Sequence, residues 1–198
     1  NMKSPFKTYF DNEGILGSVY TSALYKDKIY LGTNQGLYYK DHQSNDSFKY
    51  IPGTAGQVWS LVEYDDTLFC CHHLGTFIVN DDRVLKIPNT QGSWQLKPLN
   101  KKNLILQGNY DGLSILEKKN EKWQVKNAIK GFNISSRYFE EMPNNEIFIN
   151  HEYKGIYKIK VDEDFSNVLN ISIDSISKGA NSSILRYKND LLYAFKNG

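Results

Sequence analysis

The sequence predicts an all-β fold, and three observations favour it. Aromatic residues make up 14% of the chain, with 14 Tyr and 10 Phe, and such side chains are enriched in β-strands. Short apolar runs separated by polar turn residues recur along the whole chain of 198 residues. No segment of useful length shows the 3.6-residue apolar period of an amphipathic helix.

The repeat is clearest at the glycines that close polar turns. They follow one another at intervals of 39, 37, 43 and 43 residues: Gly36, Gly75, Gly112, Gly155 and Gly198. A large apolar residue opens the hairpin before each glycine, at intervals of 39, 35, 43 and 45 residues: Tyr25, Tyr64, Leu99, Met142 and Tyr187. Two independent landmarks therefore give the same register for the repeat.

Each unit contains four short apolar runs. The second run (IYL, LFCC, LIL, IFI) is apolar at successive positions, which is typical of a strand buried on both faces. The turn glycine after it is expected to supply a positive φ, and the fourth run is the most polar, as expected of an outer edge. Four strands in about 40 residues are typical of a β-propeller blade.

We therefore expect one propeller segment over residues 1–198, with blades at about 18–56, 57–92, 93–133 and 134–181 and a partial blade at 182–198. The run FKTYF at 6–10 is predicted to be an outer strand of a preceding blade. Asn1 precedes Met2, and the chain is expected to be a fragment of a larger propeller.

Composition excludes several classes of function. The net charge is only +2, and Lys and Arg are spread along the chain, whereas a nucleic-acid site would cluster them. No apolar run is long enough to cross a bilayer. Cys70 and Cys71 are neighbours, so in a strand they point to opposite faces and cannot reach disulfide geometry. We expect two buried thiols, no metal site and no cofactor.

The ordered series of motifs resembles the propeller repeats of large sensor-regulators of Bacteroidetes. LGTNQGLYY at 31–39 carries the whole general repeat. The resemblance extends through QVWSL with CHHLGTFIV, LQGNYDGLSILEK with KWQVKN, and SSRYFEE with HEYKGIYKI, and it covers residues 18–198. The second and fourth units lack the Gly-Thr pair, so the repeat is degenerate there.

The resemblance implies a periplasmic, extracytoplasmic sensor that precedes a triple-tyrosine domain and a membrane helix. A histidine kinase of a two-component system, or a LuxR-type DNA-binding domain, would follow inside the cell and regulate transcription. It also implies an oligosaccharide or another small extracellular ligand. The other expected partners are the rest of the parent propeller and the triple-tyrosine domain, a homodimer is compatible with this arrangement, and this segment would not contact nucleic acid itself.

Propellers bind ligands where loops from several blades converge on the central channel. The candidate ligand-binding residues are Trp59, Trp94, Arg137 and Tyr138, because flat aromatic faces and a fork of donors suit a sugar. A structural role in place of ligand binding also stays open for these residues. Either tryptophan could serve as a wedge between blades, and Arg137 could serve as an inter-blade hydrogen-bonding residue.

The remaining polar residues favour structural roles. His72 and His151 occupy equivalent places before the turn glycines, which predicts that both bond the backbone of a neighbouring blade and that neither binds a metal. Tyr110 and Tyr153 are assigned to turns, and Glu140 and Glu141 are predicted to be solvated. No acid and base are placed to face each other across a substrate, so we expect no catalytic residue and no enzymatic activity in this segment.

Three alternatives remain open. A propeller enzyme acting on sugars would need a convergent acid and base in the channel. A protein-interaction scaffold would use a blade face and would show a broad exposed aromatic patch. A quinoprotein-type propeller is suggested by LLYAFKNG at 191–198, but the other units lack the tryptophan pattern of that repeat.

Overall fold

The computed structural model describes residues 11, 14–176 and 178–195. The predicted outer strand at 6–10 and the turn glycine Gly198 lie outside the described residues. Within them the structure is all-β, with no helix, and the strands form four sheets of four strands and one of two. The predicted fold class is therefore confirmed.

The strands pair in chain order within every sheet. Sheet one contains β1 (Val19–Tyr25), β2 (Lys28–Thr33), β3 (Leu37–Asp41) and β4 (Lys49–Tyr50). Sheet two contains β5 (Val58–Tyr64), β6 (Thr67–His72), β7 (Gly75–Asn80) and β8 (Arg83–Lys86). Sheet three contains β9 (Ser93–Pro98), β10 (Leu104–Asn109), β11 (Gly112–Lys119) and β12 (Lys122–Ala128). Sheet four contains β13 (Tyr138–Met142), β14 (Glu146–His151), β15 (Gly155–Val161) and β16 (Val168–Asp174), and the last hairpin pairs β17 (Ser183–Tyr187) with β18 (Asp190–Ala194).

In sheets one, two and four, the polar residues between the first and second strands form tight hairpin turns. In sheet one Lys26 and Asp27 have φ of 46° and 60°, and in sheet four Asn144 and Asn145 have φ of 66° and 58°. Two successive residues at positive φ suit the right-handed twist of a hairpin, and Asp and Asn tolerate that conformation best. The turn glycines that open the third strands also have positive φ, 139° at Gly75 for example, as predicted.

Hydrophobic cores lie between consecutive sheets. Cys70 packs with Tyr30 and Leu37 of sheet one, whereas Cys71 packs with Ile105 and Leu116 of sheet three. Both thiols are buried, and the neighbours point to opposite faces, as the alternation predicts. A third core joins sheets three and four. Each inner sheet is thus covered on both faces, which explains its continuous apolar second strand.

Glycine allows sheets three and four to approach closely. A Cβ placed on Gly108 would lie 2.0 Å from the carbonyl oxygen of Ser136 and 2.6 Å from Cε1 of Phe139. A side chain at this position would force the two sheets apart. This approach brings the start of β13 beside the end of β10, and the candidate site lies at that end.

Glu140 does not have the solvated position predicted for it. It lies on β13 with its side chain only 7% exposed, and it accepts a hydrogen bond of 2.5 Å from Nζ of Lys97 on β9. The prediction was wrong because the turn begins only after Met142, so the strand carries Glu140 into the contact between two sheets. A buried carboxylate needs such a partner.

The outer strand of sheet four is less polar than the prediction for outer strands required. β16 exposes Leu169, Ile171 and Ile173 by 64%, 46% and 49%, so the prediction of a polar outer strand is wrong in the fourth sheet. Among the described residues, no helix has the length and hydropathy that crossing a bilayer requires.

Candidate functional site

The first strands of the sheets lie next to one another. β1 lies against β5, β5 against β9, and β13 against β17, as expected for the innermost strands around a propeller axis. Because the strands within each sheet pair antiparallel, the start of each first strand, the end of the second and the start of the third share one end of the sheet. We call this end the channel mouth.

A bulge recurs at the start of three innermost strands. Val19 and Thr21 pair with the adjacent residues Thr33 and Gly32, so Tyr20 is an extra residue without a partner. The same shift leaves Trp59 extra in β5 and Trp94 extra in β9. A bulge redirects the side chain of its extra residue, and here it directs three large aromatic rings to the channel mouth.

These rings form a continuous aromatic row, which consists of Tyr20, Trp59, Trp94 and Tyr110. Tyr20 stacks on Trp59 with ring centroids 5.4 Å apart, and Trp59 lies 4.7 Å from Trp94. Tyr110, in the turn after β10, lies 4.6 Å from Trp94 and accepts a 2.6 Å hydrogen bond from Nε1 of Trp59. Tyr20 and Tyr110 remain 47% and 39% exposed, so a ligand can reach the row.

Arg137 extends the row into the fourth sheet. The central carbon of its guanidinium lies 5.3 Å from the ring centroid of Trp94 and 5.1 Å from that of Tyr138. A guanidinium between two aromatic faces is held by cation–π attraction on both sides. The guanidinium also faces the carboxylate of Glu152 at 4.0 Å, which is a long distance for an ion pair. Arg137 is therefore fixed in position, while its N–H groups have little to donate to.

A cleft of about 190 Å³ opens beside Arg137. Aromatic walls and polar side chains line it: Trp94, Ser135, Arg137, Tyr138, Asn150, His151, Glu152 and Tyr153. Nε1 of Trp94 donates to Oγ of Ser135 at 3.0 Å and so fixes one wall. A pocket with apolar walls and a few polar groups is the usual form of a small-molecule site.

The protonation state and the tautomer of His151 follow from its surroundings. Its Nδ1 accepts a hydrogen bond from the backbone N–H of Tyr153 at 3.3 Å. Burial, and after it the charge of Lys154, lowers the pKa of His151, so the ring is neutral at pH 7. With Nδ1 as acceptor, Nε2 carries the proton and is a donor. His151 therefore adds a neutral donor to the lining of the cleft.

The shared role predicted for His72 and His151 is partly right. Each ring accepts a hydrogen bond at Nδ1 from a backbone N–H two residues later, in its own turn. Only His72 also reaches the preceding unit, through Nε2 and the carbonyl oxygen of Thr54 at 3.2 Å. In the described part of the chain, no group of three His, Cys, Asp or Glu could hold a metal ion.

The structure brings the four predicted residues together. Trp94, Arg137 and Tyr138 line one cleft, and Trp59 lies beside it in the aromatic row. Among the contacts described, Arg137 reaches the preceding sheet through its cation–π contact with Trp94 and donates no inter-sheet hydrogen bond. Both tryptophans do contact rings from neighbouring sheets, which is what a wedge does, but their rings also form the walls of the site.

Sequence reasoning missed several members of the site. Tyr110 and Tyr153 were assigned only to turns, and Tyr20, Ser135 and Glu152 were not considered. Tyr20 could have been found, because VYTS, VWSL and SWQL align its ring with Trp59 and Trp94. Tyr153 could not, since the turn after β14 is one residue longer than the turns after β6 and β10.

Comparison of sequences finds no match, whereas comparison with solved structures finds proteins of similar fold. No protein-family model matches the chain, and no curated protein matches it significantly. The WD40 β-propeller domain of Doa1 superposes with a TM-score of 0.58 at 14% identity, over 87% of this chain and 60% of that one. PorZ, a surface component of the type-IX secretion system of Porphyromonas gingivalis, superposes with a TM-score of 0.63 at 13% identity, over 90% of this chain and 25% of that one.

A third similar structure is an extracellular domain. That domain, from the hybrid two-component system BT4673 of B. thetaiotaomicron, superposes with a TM-score of 0.59 at 17% identity, over 96% of this chain and 27% of that one. The chain thus spans between about a quarter and three fifths of the length of these three structures. At such low identities the likeness shows the fold alone: the chain is built as a β-propeller.

Proposed function

We propose that this chain is the extracytoplasmic, ligand-sensing part of a signal-transduction regulator, and that it binds a small glycan-derived ligand at the channel mouth. The observation that carries the proposal is the aromatic row ending in the cleft beside Arg137. Support for the sensor role comes from the resemblance of the repeats. The likeness to the extracellular domain of a two-component system agrees with that role.

The chemistry of the site suits a sugar. A pyranose presents C–H groups on its flat faces and hydroxyl groups around its rim. The exposed faces of Tyr20 and Tyr110 and the tilted ring of Trp94 offer apolar platforms, and the side chains of Arg137 and Glu152 offer donors and an acceptor. Rigid aromatic side chains supply contact area with little loss of conformational entropy on binding.

The side chains of the cleft also bear on whether the segment could hydrolyse a glycan. The titratable groups of the cleft are Arg137, Glu152, His151 and two tyrosines, and Glu152 is its single carboxylate. Hydrolysis of a glycosidic bond ordinarily needs two carboxyl groups flanking that bond. We therefore propose that the segment binds its glycan without turnover. Release of reducing sugar by the purified chain, abolished by Glu152→Gln, would contradict this.

Calorimetry against oligosaccharides from plant, algal and host glycans tests the binding site. Trp94→Ala and Trp59→Ala should each weaken binding by about tenfold to hundredfold, because truncation of a stacked aromatic removes roughly 1–3 kcal/mol. Tyr187→Ala is the matched control, since Tyr187 is an exposed aromatic of β17 that does not line the cleft. Unchanged affinity in folded Trp59, Trp94, Arg137 and Tyr138 variants would show that the ligand binds elsewhere.

The sensor role needs a separate experiment in the parent protein. A parent regulator that responds normally to its signal with the whole propeller deleted would refute it. A ligand shifts a regulator only by the difference between its affinities for the resting and active states. Abolishing binding at the cleft should therefore abolish the response and leave the expression of the regulator unchanged.

A further inference from the structure

Arg137 is the best-placed charged group at the channel mouth, and its donors are nearly unused. Its side chain is 48% exposed. Trp94 and Tyr138 contact its flat faces, which leaves the N–H groups at the edge free to point into the cleft. A guanidinium carries five such donors. Among the described residues, the one acceptor placed near them is the carboxylate of Glu152, at 4.0 Å.

The other polar groups of the cleft are also mainly donors. His151 presents Nε2–H, because its Nδ1 already accepts from the backbone. Ser135 accepts from Trp94 at Oγ, so its own O–H remains to donate. Asn150 is occupied, since its amide exchanges hydrogen bonds with Ser182 at 3.0 and 3.2 Å. Among the lining residues Arg137 is thus the one group with a fixed positive charge and Glu152 the one carboxylate, while His151 and Ser135 add neutral donors and the hydroxyl groups of Tyr138 and Tyr153 can donate or accept.

From this arrangement we infer that the ligand is an acidic sugar, whose carboxylate or sulfate group binds the guanidinium of Arg137. The inference rests on the proposed function and specifies its ligand. A planar fork of N–H donors matches the two oxygens of such a group, and charge-assisted pairs are about twice as strong as neutral hydrogen bonds. The sugar ring then lies against Trp94 and Tyr138, on the walls that already hold the guanidinium.

Glu152 has an opposing role in this scheme. In the structure its carboxylate faces Arg137 and partly neutralises it. An incoming anion must displace this contact and bind near a like charge, which disfavours binding. Replacement of Glu152 with Gln should therefore tighten the binding of an acidic sugar, although it removes a polar group from the cleft. A role of Glu152 as acceptor for sugar hydroxyls predicts the opposite result.

The test compares acidic tetrasaccharides with their neutral counterparts on the full chain by calorimetry. One arm uses oligomers of galacturonate, glucuronate, mannuronate and guluronate, each beside its methyl ester. The other arm uses a sulfated galactan tetrasaccharide beside its desulfated form. We expect at least one acidic member to bind about tenfold or more tightly than its partner, and the responding arm identifies whether a carboxylate or a sulfate is recognised.

Variants then assign the preference to the cleft. Arg137→Gln should weaken binding of the acidic member by about tenfold to hundredfold and change binding of its neutral partner little. Arg137→Lys should retain part of the affinity, because it keeps the charge but not the planar fork. Lys158→Gln is the control, since Lys158 pairs with Glu146 at 2.8 Å and does not line the cleft. Circular dichroism of each variant establishes that it is folded.

Two outcomes would overturn the inference. One is that no acidic member binds more tightly than its neutral partner, and the other is that Arg137→Gln weakens both by the same factor. Neutral binding that depends on Trp94 would then leave the proposed glycan sensor intact. Acidic binding that survives Arg137→Gln unchanged would also refute the inference, because the anion would lie elsewhere. An affinity gain in Glu152→Gln that disappears in the double variant with Arg137→Gln would support it.

Discussion

Protonation of His72 is expected to destabilise the fold on mild acidification. The side chain is fully buried. Nδ1 accepts from the N–H of Leu74 at 3.1 Å, and Nε2–H donates to the carbonyl oxygen of Thr54 at 3.2 Å. A second proton would have to occupy Nδ1, where it would face an N–H donor. Burial, followed by the neighbouring ring of His73, lowers the pKa of His72 to about 4, and Lys86 contributes in the same direction.

The size and sign of the effect follow from proton linkage. In the unfolded chain the pKa of this histidine is 6.5, so between pH 6.5 and about 4 the unfolded state binds a proton that the folded state does not. The stabilisation is complete above pH 6.5 and is lost as the pH falls through this window. The difference between the two pKa values corresponds to a decrease of about 3 kcal/mol in the free energy of unfolding.

The assay is urea unfolding of the wild type and His72→Asn at several values from pH 7.5 to 4. Asn keeps an acceptor near the position of Nδ1 but does not titrate, and the third sheet carries Asn109 at the equivalent place before its turn glycine. The variant loses a hydrogen bond at every pH, so the difference in slope is the readout. Carboxylates titrate in both proteins, so their contribution to the pH dependence cancels in the comparison. The control is His42→Asn, which replaces a histidine at an exposed position. Equal pH dependence in wild type and His72→Asn would refute the reasoning.

Three further predictions concern two contacts between sheets and the pairing of the last hairpin. Lys97→Met should lower the free energy of unfolding by about 3 kcal/mol, because it leaves the buried Glu140 unpaired. Adding Glu140→Gln to the Lys97→Met variant should restore part of that free energy. If the effects of the two substitutions simply add in the double variant, the ion pair does not contribute as proposed. Gly108→Ala should lower the free energy of unfolding by roughly 1–3 kcal/mol, because the added Cβ would meet the carbonyl oxygen of Ser136. A midpoint of urea unfolding equal to that of the wild type would contradict this. Amides of β18, which pairs only with β17 among the described strands, should exchange faster than those of β10, and equal protection in a monomer would refute that expectation.

Much of the fold could be predicted because its determinants are local and repeated. A short polar turn, a continuous apolar run and a glycine at positive φ recur in register, and each has a direct backbone cause. The fate of Cys70 and Cys71 followed from strand alternation alone. Glu140 was misplaced because its proximity to the turn was taken as evidence of exposure. Its burial depends on Lys97, which comes from another sheet.

The candidate site could be predicted only in part, for a similar reason. Trp59 and Trp94 were identified by residue type, and their common bulge register was visible in the sequence. The contacts of Arg137 with Trp94 and of Trp59 with Tyr110 join residues 43 and 51 positions apart. Which side chains meet at the channel mouth depends on the arc of the sheets around the axis. A repeat period does not contain that information.

The position of the cleft bears on how a bound ligand could influence a regulator. Trp94 belongs to sheet three, whereas Arg137 and Tyr138 belong to sheet four, so a ligand on these walls bridges two sheets. The same two sheets meet at Gly108, where backbone and ring atoms are in close contact, and at the ion pair between Lys97 and Glu140. Packed interfaces of this kind shift between discrete arrangements more readily than they deform. Under the proposed function, a ligand that fits only one setting of this interface would favour that setting by the difference in its affinities. The aromatic row, which continues to Tyr20 in sheet one, would extend the effect across three sheets.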